Sequence, residues 1–172
     1  ALKKQRELSD LSDICWHFIG PLQSNKARKI AENFDWVHTI DKAKIAEKLS
    51  ASRQDNQLPL NVCIQVNISG EESKSGLSVQ ECFKLSTTVA ALPRLNLRGL
   101  MTIPQNNAAE AEQKKHFKAM SNLLVRVRGS SPQLATLDTL SMGMSSDLEA
   151  ALQEGATIIR VGSAIFGPRR SS

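Results

Sequence analysis

Short apolar runs alternate with longer stretches of helical periodicity along the chain. Residues 16–19, Trp-His-Phe-Ile, predict a strand that Gly20-Pro21 stops. Residues 24–33 predict a helix with Ile30 and Ala31 inward, and residues 36–40 the next strand. Asp41 is the expected N-cap of a helix that carries Ile45 and Leu49 at i, i+4 spacing. Residues 61–68 alternate most clearly. Val62, Ile64, Val66 and Ile68 form one face of that strand, and Cys63, Gln65 and Asn67 form the other. After a polar loop at 70–76, Ser78 and Glu81 form a capping box before a helix with Cys82, Leu85 and Val89 inward. A strand follows at 95–103. The next helix, 108–128, buries Phe117, Met120, Leu124 and Val127 and stops at Gly129. Residues 137–141 predict a strand, Ser146 to Glu149 a second capping box, and 157–161 the last strand.

Strict alternation of strand and helix implies a parallel sheet, either open and doubly wound or closed into a barrel. No early Gly-x-Gly-x-x-Gly occurs, which counts against a dinucleotide fold. The polar Cys63, Gln65 and Asn67 face suits a barrel lumen near its ligand end. A closed barrel needs eight strands and typically about 250 residues. The pattern supplies about six strands in 172 residues. The expected fold class is therefore α/β: a (β/α)8 TIM-type barrel with about six of its eight βα units present.

Composition narrows the function. The chain is 41% hydrophobic and 23% charged, ordinary for a globular protein. No apolar run approaches the roughly 20 residues of a membrane span, and the charged N-terminus lacks a signal-peptide core, so a cytoplasmic location is the default. The net charge of +5 admits an anionic ligand. Basic residues are mixed with acids and aromatics are only 4%, which argues against nucleic acid. The three cysteines form no CxxC, and the three histidines are too scattered to suggest a metal.

Chemistry in a barrel collects at the C-terminal ends of strands. The last two strand ends carry Ser141-Met142-Gly143-Met144-Ser145 and Gly162-Ser163. Glycines there let backbone N–H groups approach an anion, and the loops after the last two strands are the usual phosphate site of such barrels. The competing reading is that these glycines serve tight turns. Arg160 alternates with Ile159 and Val161 and therefore points into the lumen. A buried arginine needs an acceptor. An internal pair with Asp138 and a ligand contact are both open. His17 is expected to be structural, and Glu71, Glu72 and Lys74 to lie in a solvated loop.

Several blocks resemble one family in order. They are residues 16–26, Gln65-Val66-Asn67 with Glu71, Lys74 and Gly76, Arg98-Gly99-Leu100-Met101, residues 140–145 with Asp147, and Arg160-Val161-Gly162-Ser163 with Ile165-Phe166-Gly167. Together they resemble the pyridoxal phosphate homeostasis proteins, whose fold is similar to the barrel domain of alanine racemase. The resemblance implies pyridoxal 5′-phosphate (PLP) as ligand. It implies Ser141, Gly162 and Ser163 at the phosphate, Arg160 at the pyridine nitrogen, and Met101 and Asn67 lining the site. It implies residues 1–172 as one PLP-binding barrel domain lacking its first two βα units. In the family, the first of those units carries the lysine that holds PLP covalently.

The function implied is PLP homeostasis. The chain would hold PLP and deliver it to PLP-dependent apo-enzymes, without strong catalysis of its own. The alternative is a PLP-dependent amino-acid racemase. The chain contains no Tyr, which argues against a two-base racemase that takes its second base from tyrosine. A phosphosugar-binding barrel enzyme fits the motif blocks least well.

Overall fold

The computed structural model describes residues 1–71, 74–104 and 109–167. Among them, helix α1 (Leu2–Glu7) precedes β1 (His17–Phe18). A 3-10 turn and α2 (Ala27–Asn33) lead to β2 (Trp36–Ile40), then α3 (Ala43–Ser52), β3 (Leu60–Gln65) and α4 (Val79–Ala90). Next come β4 (Leu95–Met101), α5 (Glu110–Gly129), β5 (Thr139–Met144), α6 (Leu148–Gln153), β6 (Ile158–Arg160) and the short α7 (Ser163–Phe166). The strands form one six-stranded sheet in the order β1-β2-β3-β4-β5-β6, and every pairing is parallel.

The sheet curls. Adjacent strands lie about 4.8 Å apart, so β2 and β5 in a flat sheet would be about 14 Å apart. Instead His38 of β2 and Ser141 of β5 meet at 2.8 Å. A parallel half-barrel results, with helices on its convex side. Val37, Val62, Ile64, Leu97 and Leu100 join the helix-packed core with Ile30, Leu49, Val89, Phe117 and Met120. Cys63 and Met101 are fully buried yet lie outside that core, on the concave side. This is the division of faces that residues 61–68 predict.

Local chemistry fixes the elements. The Ser78 capping box forms: the Glu81 N–H donates to Ser78 Oγ, and the Ser78 N–H donates to the Glu81 carboxylate at 2.9 Å. Buried Arg53 donates to the carbonyls of Ala31 and Phe34 at the end of α2 and of Leu58 after α3, satisfying groups left open there.

Two expected caps are corrected. Lys42, not Asp41, occupies the N-cap of α3, and no side chain caps it. The box at Ser146 does not form. Helix α6 starts one residue later behind Asp147, whose carboxylate turns back to accept from the Met144 N–H. The expected strand at 137–141 is shifted to Thr139–Met144 because Leu137 is drawn into the core ahead of the sheet. The 3-10 turn Ser24–Lys26 replaces the first turn of the expected helix at 24–33. The reading of Glu72 and of the start of the 108–128 helix lies outside the described residues.

Gly99 sets how closely β4 and β5 approach. A methyl group at this position would overlap the Thr139 carbonyl. Gly99→Ala is therefore expected to cost roughly 2–4 kcal/mol, because backbone rather than a flexible side chain must move. Urea unfolding checks this. A midpoint unchanged from the parent would refute the account.

Candidate functional site

Arg160 ends β6 and points into the concave face, as its alternation predicts. One Nη donates to Ser141 Oγ at 2.9 Å, and the other donates to the Thr102 carbonyl at 2.8 Å. Asp138, the alternative partner, is taken by Arg98 at 2.6 Å. Among the described residues Arg160 has no carboxylate in salt-bridge contact. Burial pulls its pKa down, while Asp147 and Cys63 oppose the shift. Its guanidinium stays charged, because arginine does not lose its proton in proteins. A half-buried cation held only by a hydroxyl and a carbonyl retains donors for an incoming ligand.

Ser141 is fully buried, and its hydroxyl stands between Arg160 and His38 Nδ1, 2.8 Å away. His38 Nε2 in turn meets His17 Nδ1 at 2.8 Å. Serine 145 is the hydroxyl that stands beside Gly162. Its Oγ accepts from the N–H groups of Gly162 and Ala164, each at 3.3 Å. Nothing would crowd a Cβ at Gly162, so the space before these amides is open. Gly162 and Ser163 thus lie together with Ser145, and Ser141 lies one layer deeper. Met101 is level with Ser141 in the β4–β5 register, fully buried on the concave side. Asn67 is turned to its own loop. Its amide donates to the Glu71 carbonyl at 2.7 Å, and its oxygen accepts from Ser69 Oγ and the Gly70 N–H.

The sequence reading missed the roles of His38 and Ser145. A signal for His38 exists: it shares the inward parity of Trp36 on β2, as Ser141 does on β5. A cleft of about 480 Å³ opens at the same end, beside Gly20, Thr39, Lys42, Gln65 and Lys74. It adds two lysines to the rim.

His38 is pushed down to about 4, first by burial, then by His17 and Arg160. Burial also lowers His17, against the pull of Asp35. Neutral histidines in the folded state face an unfolded value near 6.5. Below that value the unfolded chain binds more protons than the folded one. Stability is therefore complete above about pH 6.5 and is lost as the pH falls through the window down to about 4, by roughly 3 kcal/mol for His38. Urea unfolding of the parent and of His38→Leu across this range isolates the His38 share. Parallel pH slopes in the two proteins would contradict it.

The chain matches the family model for the alanine racemase N-terminal domain over residues 6–170. It is 53% identical over 169 residues to the pyridoxal phosphate homeostasis protein of Pseudomonas aeruginosa, covering 98% of this chain and 70% of that protein. Its identity to the protein of that name from Vibrio cholerae is 54% over 154 residues, covering 90% and 64%. The chain thus spans about two thirds of the length of these relatives. PipY of Synechococcus elongatus, solved with PLP bound, superposes with a TM-score of 0.89 at 38% identity, covering 97% of this chain and 77% of PipY. Alanine racemase of Clostridium difficile shares the fold alone, with a TM-score of 0.72 at 14% identity, covering 99% of this chain and 44% of the racemase. With the family model matched along nearly the whole chain and relatives above 50% identity, the chain belongs to the alanine racemase N-terminal domain family, among the pyridoxal phosphate homeostasis proteins.

Proposed function

We propose that residues 1–172 act as one PLP-binding unit in PLP homeostasis, holding the cofactor and releasing it to PLP-dependent apo-enzymes in the cytoplasm. The observation that carries this reading is Arg160, a half-buried guanidinium with a hydroxyl and a carbonyl for partners and no carboxylate contact among the described residues. The name of the P. aeruginosa relative and the PLP bound to PipY support it. No described helix is long and apolar enough to cross a membrane.

The residues fit the group in two places. The Ser145 hydroxyl, whose oxygen accepts from the Gly162 and Ala164 amides and whose proton is left to donate, forms with the Ser163 hydroxyl a turn open to a phosphate. This assigns the hydroxyl next to the phosphate to Ser145 and leaves Ser141 to Arg160. The guanidinium then meets the ring nitrogen. Bound PLP supplies a reactive aldehyde and an electron-withdrawing ring. An arginine donates to the ring nitrogen without protonating it, so the ring is a weaker electron sink than one facing a carboxylic acid. That favours storage over strong catalysis and weighs against the racemase alternative. Met101 fills the floor of the site. Asn67 acts through the 67–71 turn rather than by direct contact.

Titration calorimetry with pyridoxine 5′-phosphate, which needs no lysine, tests the reading. Saturable binding is expected, weakened about tenfold by Ser145→Ala and by at least as much by Arg160→Leu. No binding to the parent chain would defeat it. Incubation with PLP and L-alanine in D2O is expected to give no exchange at Cα above the free cofactor. Exchange well above that level would restore the racemase alternative.

A further inference from the structure

A continuous hydrogen-bonded chain crosses the concave face from the Arg160 end of the sheet to its opposite edge. From Thr102 O it runs through Arg160, Ser141 Oγ and both nitrogens of His38 to His17 Nδ1, with every link between 2.8 and 2.9 Å. It draws side chains from β1, β2, β5 and β6. Beyond His17 it is braced by stacking: the His17 ring lies 5.3 Å from Trp36 at an interplanar angle of 4°, and Arg98 sits 5.0 Å over Trp36.

Donor accounting gives the chain a direction. Arginine only donates, so Ser141 Oγ must accept from Arg160. Ser141 Oγ has two partners, the Arg160 guanidinium at 2.9 Å and His38 Nδ1 at 2.8 Å. A serine hydroxyl has three staggered positions about χ1. Arg160 alone leaves them in competition, whereas a second bonded partner selects the position that serves both. Among the described residues no carboxylate joins this series of bonds. The ionisable groups facing it are Cys63 from β3, whose thiol is pushed up to about 12, the Arg98–Asp138 pair, Asp35 and Asp147.

We propose that His38, buttressed by His17, is a positioning residue for Arg160: it fixes the Ser141 hydroxyl as an acceptor, so that the guanidinium presents one fixed edge to the ligand ring. Its meaning for a ligand rests on the PLP reading above, but the positioning itself is a property of the chain alone.

Two variants separate positioning from packing. His38→Asn keeps a polar atom near the place of Nδ1 but leaves a void. His38→Leu nearly fills the volume but bonds to nothing. In the parent chain without ligand, NMR is expected to give separate, slowly exchanging signals for the two Arg160 Nη groups, assigned by their loss in Arg160→Lys. His38→Leu is expected to merge them or to speed their exchange about tenfold or more, and His38→Asn to stay within about twofold of the parent. A packing role predicts the reverse order. Unchanged Nη signals in His38→Leu would overturn the proposal.

The second readout is affinity. His38→Leu is expected to weaken pyridoxine 5′-phosphate about tenfold and glycerol 3-phosphate, which has no ring, by less than about twofold. Equal losses for the two ligands would overturn the proposal. If no variant, including the parent, binds pyridoxine 5′-phosphate, the PLP reading fails. The Nη signals still decide the positioning role.

Discussion

A cation inside a curled sheet must be satisfied by whatever the neighbouring strands can bring to it. Arg160 imposes that condition here. A charge removed from water costs several kcal/mol unless hydrogen bonds replace the lost hydration. The half-barrel meets the condition with a carbonyl from the end of β4 and a hydroxyl from β5. The hydroxyl in turn engages an imidazole from β2. Curl and network depend on each other. A flat sheet would part His38 from Ser141, and an apolar pair there would leave the guanidinium one acceptor short.

The convex side obeys simpler rules. Apolar residues at alternate strand positions meet helix faces spaced at three and four residues, and the helices are held by local caps. Buried Arg53 shows the same economy as Arg160 in a purely structural setting. Three of its N–H groups donate to backbone carbonyls, whereas Arg160 gives one of its own to a side-chain hydroxyl. The contrast between these two arginines separates scaffold from site in this chain.

The alternation at 61–68 and the spacing of Phe117, Met120, Leu124 and Val127 predict the layers correctly, because burial alone decides those positions. Arg160 is readable as an inward residue for the same reason. The serine that meets the Gly162 amide is not. Ser141 and Ser145 flank one glycine and stand four residues apart, and only the path of the chain after β5 decides which of them meets Gly162. The caps at Asp41 and Ser146 fail for a related reason. The residue types are right for capping, but the helices begin one residue later than the spacing suggests, behind Lys42 and Asp147. The histidine pair is a contact 21 residues apart in sequence, and His38 reaches Ser141 across 103. No local pattern encodes contacts of that range.

The stacking of His17 on Trp36 carries an optical consequence. An indole in face-to-face contact with an imidazole has its emission dimmed when the imidazole takes up a proton. Trp36 lies parallel to that ring at 5.3 Å, and the ring is bonded directly to His38. The protein thus contains a native fluorophore at one end of the chain of bonds that holds Arg160. Trp16 is the chain's other tryptophan, and the Trp36 share of the emission is a running record of whether the interior histidines are neutral, with no label attached.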